Sequence, residues 1–285
     1  MNDHHRHVFH TRHDFTPEFA WAAFQLLDGI GPDGVATSDL YTVAKVIASP
    51  LTKRADLSKL LAAMDEIGLT VRRREHVALS PAGESLARSL GRYREGFCVA
   101  VHCLYCWTWL WEENAVATPS WSYREVCSQL LDVGTVGVGA DELVLRVVSS
   151  AAKAFRVEKV SFSRSSVAGV TMWLEAQSPP LIQRRGARIF THNVSGPMAN
   201  PLRLHAAALC AYKGGEVSLD SSNIRLLAEC FLTPADELIG HVIESAQDSM
   251  EFLLIPGAPP RLIFNRSEDP FINWIAEFVK RKTMA

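Results

Sequence analysis

The stretch Leu69-Thr-Val-Arg-Arg-Arg-Glu-His-Val-Ala-Leu-Ser-Pro-Ala-Gly83 decides the fold. It opens with two short runs of strand-forming residues folded about a basic turn. Ser80 then precedes Pro81, a helix N-cap followed by proline at the first helical position, and a helix continues to Leu90. A hairpin of this size cannot bury its own apolar face, so it needs helices beside it.

Those helices are readable upstream. Thr16-Pro17 opens one whose apolar residues run from Phe19 to Leu27 with helical spacing, and Gly29 to Gly34 breaks the chain after it. A second runs from about Ser38 to Ala48 and stops near Pro50. A third, Arg54 to Ile67, aligns Leu57, Leu60, Leu61 and Met64 on one stripe before Gly68 ends it. Over residues 16 to 90 the order is helix, helix, helix, basic hairpin, helix. That pattern resembles the winged helix-turn-helix superfamily, with no narrower family identified. The resemblance implies a three-helix bundle carrying a hairpin wing. It also implies binding to double-stranded DNA, the third helix in a major groove and the wing on the backbone or in the adjacent minor groove.

The order recurs. Thr118 to Leu131, Asp141 to Phe155 and Ser163 to Gln177 read as helices, the last with Val167, Val170, Trp173 and Leu174 as its buried stripe. Pro179-Pro180 stops it, and Leu181 to His192 forms a hairpin in the wing position. A third pass is more weakly patterned. It has helices at Pro201 to Tyr212, Ser221 to Phe231 and Thr233 to about Met250, and a strand at Glu216 to Leu219. A hairpin follows around Pro256 to Pro260, then a helix from Phe271 to Arg281.

The expected fold class is therefore mostly α with short β-hairpins, as tandem winged-helix modules. Module 1 covers 14–95, a connecting or dimerisation helix 96–117, a basic module 2 118–195, and an acidic C-terminal module of winged-helix-like order 196–285. The connecting helix is rich in Cys and Trp. Trp107, Trp109 and Trp111 fall on different faces, so it is expected to be covered on more than one side, joining modules or pairing with a second chain. Its apolar run, Phe97 to Trp111, falls short of the roughly 18 residues a membrane span needs, so no membrane partner is expected. The polar, His-rich N-terminus shows no secretory leader. Six cysteines, three of them clustered, suit a reducing cytoplasm rather than a disulfide framework.

Net charge is only -2, but it is unevenly spread. Between Arg146 and Gly215 there are ten Lys and Arg against two Asp and Glu, with acidic segments on both sides. Such a zone suits a polyanion-facing surface, or an internal partner for the acidic C-terminal part. In module 2 the candidate nucleic-acid contacts are Arg164, Ser165 and Ser166 at the start of the third helix and Arg184, Arg185 and Arg188 on the wing. Lys153, Arg156 and Lys159 extend the track. In module 1 they are Arg72, Arg73 and Arg74, helped by His76 and flanked by Lys53, Arg54 and Lys59, with nearby acids nearly cancelling the charge. The C-terminal hairpin is apolar and proline-rich, better suited to protein contact or dimerisation.

Other chemistry is thinner. Cys98, His102 and Cys106 share a helical face with Cys103 nearby, but no second ligand pair follows, so no metal or other cofactor is expected. His4, His5, His7, His10 and His13 read as a weakly basic tail. Gly134 to Gly139 lacks the Lys and Ser/Thr of a phosphate loop and reads as a linker. His192 and His205 flank the basic zone with no nucleophile or base positioned beside them, so no enzyme is expected. The functional expectation is a DNA-binding transcriptional regulator or DNA-facing subunit of a larger complex, plausibly a homodimer. A winged-helix adaptor that binds only protein is the alternative.

Overall fold

The computed structural model describes residues 15–46, 54–111, 118–192, 199–247 and 249–283. The N-terminal histidines and Lys53 lie outside them, as do the side chains of Arg54 and Trp111. Helix α1 (Pro17–Ile30) starts where the Thr16 hydroxyl accepts the Phe19 N–H at 3.3 Å. A two-residue strand β1 (Val35–Ala36) leads into α2 (Thr37–Val46) and α3 (Arg54–Glu66). Strands β2 (Thr70–Arg73) and β3 (His76–Leu79) form the hairpin. Helix α4 (Pro81–Leu90) follows, its Ser80 cap accepting the Gly83 N–H at 3.0 Å and donating to Gly68 O at 2.6 Å.

The same sequence of elements then returns twice. The second set is α6 (Thr118–Val133), a 3-10 turn (Gly134–Val136), β4 (Val138–Gly139), α7 (Ala140–Phe155), α8 (Arg164–Glu175), β5 (Ile182–Arg185) and β6 (Arg188–Thr191). The third is α9 (Ala199–Tyr212), β7 (Glu216–Ser218), α10 (Ser221–Phe231), α11 (Ala235–Gln247), β8 (Phe252–Ile255) and β9 (Arg261–Phe264). Helix α5 (Arg94–Trp111) sits between the first two sets, and α12 (Pro270–Thr283) closes the chain. Each set makes one antiparallel three-stranded sheet in which the last strand is central: β1-β3-β2, β4-β6-β5 and β7-β9-β8. The molecule is thus mostly helical, with small antiparallel sheets.

The first two hairpins correspond residue for residue. Arg72 opposes Val77 and Arg73 opposes His76, as Arg184 opposes Ile189 and Arg185 opposes Arg188. Both turns place a left-handed residue first, Arg74 (φ 58°) and Gly186 (φ 61°). The third hairpin has a longer proline-rich turn but keeps the register, Leu254 opposing Leu262 and Ile255 opposing Arg261. The linker expectation for Gly134 to Gly139 is corrected: it holds the 3-10 turn and β4, which pairs with β6 through Val138 and Ile189. A two-residue strand shows no period, so nothing local betrays it.

The three sets share one continuous core. Helix α5 lies at its centre, packed on α1, α4, α6, α8, α9 and α12, which buries Cys98, Cys103, Cys106 and Trp107. Trp107 contributes roughly 2 to 3 kcal/mol by its burial. Trp109 is half-buried and meets the Phe155 ring edge-on at 5.6 Å. Two indoles lock distant parts together. Trp173 donates to Phe15 O and Trp274 to Ala82 O, each at 2.8 Å. No helix among the described residues is long and apolar enough to cross a membrane.

Candidate nucleic-acid interface

In each sheet one face packs on the helices and the other meets solvent. Alternation sends Ile182, Ile189, Thr191 and Val138 of the second sheet into the core. Its outer face carries Gln183 opposite Phe190 and Arg185 opposite Arg188. The Arg185 guanidinium lies over the Phe190 ring, 5.4 Å from its centroid. Arg188 donates to Gly137 O at 2.6 Å. Gly137 is required here: its φ is +74°, and a Cβ would lie 2.4 Å from the Phe190 ring. Gly34 in the first sheet is bound the same way, with φ +70° and Val77 O at 2.6 Å.

Arg184 points to the other side of the hairpin, onto α8. It meets Glu175 at 2.5 Å and Thr171 Oγ1 at 2.6 Å. Arg72 does the same in the first sheet, donating to Ser58 O of α3 at 3.2 Å. These two arginines tie a hairpin to the neighbouring helix. Arg185 and Arg188 remain exposed on the outer face, without a carboxylate partner among the described residues, and so do Arg73 and Arg74 of the first sheet.

Arg164, the first residue of α8, is exposed and paired in bidentate fashion with Asp141 in the first turn of α7. This ion pair pulls the Asp141 carboxyl below the usual carboxylate range, mainly through the Arg164 hydrogen bonds. Since Gly139 pairs with Arg188 and Asp141 with Arg164, the starts of α7 and α8 and the tip of the second hairpin converge. Arg164, exposed Ser165, Arg185 and Arg188 therefore gather at one end of the second set.

Two expectations are corrected. Ser166 does not face outward: it is 1% exposed, and its N–H goes to Ser163 O at 2.9 Å. It lies on the helix stripe that also buries Val167, Val170 and Trp173, so it cannot touch a phosphate. Lys153 and Arg156 are exposed but lie away from the hairpin cluster, while Lys159 is exposed in the loop that leads back to α8. Lys153 is about 18 Å along α7 from Asp141, at 1.5 Å per residue, and Arg156 caps the same far end in a left-handed conformation. Lys153 there complements the negative end of the helix dipole. The internal-partner alternative is met at Arg203, which pairs with buried Glu251 at 2.7 Å. Arg146 pairs within α7, with Glu142 at 2.8 Å.

The third sheet's outer face differs. Leu253, Ile255 and Ile263 take the places of Gln183, Arg185 and Phe190. Arg261 matches Arg188 but donates to Glu216 at 2.6 Å. Leu253 is 51% exposed and nearby Met250 98%.

The buried histidines form a separate cluster in the core. His102 Nε2 donates to Cys230 O and its Nδ1 accepts from Tyr123 OH, each at 2.8 Å. Both ring nitrogens are therefore committed to protein partners. Trp107 donates to His205 Nδ1 at 3.1 Å, which places that ring's proton on Nε2. Burial lowers the His102 pKa to about 4 and that of His205 well below its ordinary value, so both are neutral. Burial likewise raises the Cys103, Cys106 and Cys230 thiols, keeping them protonated. Among the described residues no three His, Cys, Asp or Glu side chains converge as a metal site.

No family model matches the chain, and no curated protein matches it by sequence. A solved structure described as "SspB crystal structure" is similar in fold, with a TM-score of 0.60 at 14% identity. The match covers 96% of this chain and 87% of that one. At this identity the likeness speaks to the arrangement of elements alone.

Proposed function

We propose that this is a non-enzymatic protein of tandem winged-helix units that binds double-stranded DNA through the exposed end of its second unit. The topology of each repeated set, helix, short strand, two helices and a hairpin paired back to the short strand, supports the winged-helix reading. The observation that carries the function is the convergence of Arg164, Arg185 and Arg188 beside the starts of α7 and α8. Cations placed together on a rigid sheet edge and helix end suit a phosphate backbone. The first wing, with Arg73, Arg74 and His76 exposed, is a second, weaker contact. Six free, buried thiols fit a reducing cytoplasm. The protein would act as a transcriptional regulator or as the DNA-facing subunit of a complex.

Duplex titration by fluorescence anisotropy at two salt concentrations tests this. Binding should weaken with salt and be lost in an Arg184→Ala/Arg185→Ala/Arg188→Ala variant. Arg185→Ala/Arg188→Ala, which leaves the Arg184 tie intact, should lose nearly as much. Absence of binding to any duplex at low salt removes the proposal.

The second reading, a protein-binding adaptor, is favoured by the outer face of the third sheet. Leu253, Ile255 and Ile263 form an apolar surface suited to a protein partner or a second copy of this chain. The two readings are compatible on one molecule.

A further inference from the structure

Helix α8 occupies the place from which a winged-helix unit reads bases, yet most of it faces inward. Ser166, Val167, Gly169, Val170, Thr171, Trp173 and Leu174 are buried, and Trp173 is anchored to Phe15 O from the start of the first set. The stripe left to solvent is Ser165, Ala168, Met172 and Glu175. Reading a guanine or adenine edge takes a paired donor and acceptor or a two-donor fork, typically Arg, Lys, Asn or Gln. This stripe has none of those four, and the single hydroxyl of Ser165 serves either base without telling them apart. Its only charged member, Glu175, is already engaged by Arg184 and would repel phosphates. Arg164, at the helix start, is held by Asp141 instead of projecting along the helix axis.

The wing is arranged otherwise. Arg185 and Arg188 stand directly opposite each other on adjacent strands, a like-charge pairing that costs the hairpin stability. Phe190 and the Gly137 carbonyl hold their side chains on the outer face. Two cations kept side by side at a cost, and aimed away from the core, suit one phosphodiester strand.

We infer that the second unit grips the backbone of duplex DNA with its wing and reads no base sequence, α8 staying out of the major groove. This rests on the DNA-binding reading above and names its substrate: the phosphodiester backbone of any duplex.

The test is a panel of unrelated duplexes of equal length, titrated against the full chain, with a single strand and heparin as competitors. Dissociation constants should agree within about threefold across the panel, where specific recognition spreads them by orders of magnitude. If Arg164, Arg185 and Arg188 each neutralise one phosphate, affinity should fall roughly 40-fold between about 50 and 200 mM salt. Arg185→Ala should weaken every duplex alike, while Met172→Ala, at the middle of the α8 stripe, should change none. A strong preference for one sequence, abolished by Met172→Ala or Ser165→Ala, overturns this inference and leaves the DNA-binding reading standing. No binding to any duplex sinks both. Displacement by heparin or single strand as readily as by duplex overturns the commitment to duplex.

Discussion

Arg188 and Arg261 hold the same place in two sheets of one topology, but their surroundings part company. In the second sheet the neighbours on the outer face are Gln183, Arg185 and Phe190, and Arg188 spends one N–H on a neutral carbonyl. In the third they are Leu253, Ile255 and Ile263, and Arg261 is neutralised by Glu216. The inward faces agree: Val138 and Ile189 correspond to Val217 and Leu262, all buried. Packing preserves what faces the helices and leaves the outer face open to other uses. The contrast teaches that the repeated scaffold does not itself set the chemistry of the outer face. Four outward positions do.

The largest effect concerns the centre from which both sheets hang. His102 and His205 are neutral in the folded protein, with His102 at about 4. Once unfolded, each takes up a proton near pH 6.5. Their stabilising contribution is whole above that pH and lost as pH falls toward the folded values, at about 1.4 kcal/mol per pH unit for each histidine. Urea unfolding followed from pH 7 to pH 5 should show this slope, and His205→Phe should flatten it. If the second and third sheets are one cooperative body, probes placed in each will report the same transition at every pH.

Next comes a glycine that the second sheet requires and the third does not. Gly137→Ala forces a Cβ into Phe190 at a left-handed φ and should cost about 2 to 4 kcal/mol. Gly139→Ala, where nothing lies within 4 Å, should cost under about 0.5 kcal/mol. Thermal melts of the pair decide it. The corresponding place in the third sheet already carries Glu216, so the contrast is built into the molecule.

A smaller effect comes from repainting one sheet as the other. Gln183→Leu/Arg185→Ile/Phe190→Ile gives the second sheet the third sheet's outer face. It should retain its circular dichroism, bind duplex about tenfold more weakly, a loss near 1.4 kcal/mol, and self-associate in sedimentation. Unchanged affinity would break the proposed division of labour.

The smallest tests the first wing. Arg74 holds the left-handed position that Gly186 holds in the second. Arg74→Gly should relieve roughly 1 to 2 kcal/mol of strain and lose part of that to chain entropy, a net gain under about 1 kcal/mol. Duplex affinity should drop slightly in the same variant if the strained cation serves binding.

Local patterns made much of this legible. Thr16-Pro17 and Ser80-Pro81 mark two helix starts, and the short strand-forming runs around Arg72 to Arg74 and Arg184 to Arg188 mark both hairpins. The burial of Ser166 is not legible in sequence, because a hydroxyl two residues from Arg164 looks solvent-facing. Only the seating of α8 against α5, α6 and α7 turns it inward. Lys153 and Arg156 stand close to Arg164 in sequence, but α7 carries them to the end of the unit opposite the Asp141–Arg164 pair. The strands β1 and β4 are too short to leave a signature. Charge density along the chain is readable, whereas its distribution over a surface depends on long-range packing.

The Asp141 carboxylate already seated on Arg164 has one more consequence. Any incoming anion meets a resident competitor rather than an empty cation. A lone carboxylate or chloride gains nothing by the exchange, since it merely replaces one monovalent counter-ion with another. A polymer that engages Arg185 and Arg188 in the same event can evict Asp141 at little further cost, because its next charge is already tethered nearby. Under the proposed DNA-binding reading, the ion pair would act as a valence filter, favouring polyanions over the small acids of the surrounding solution.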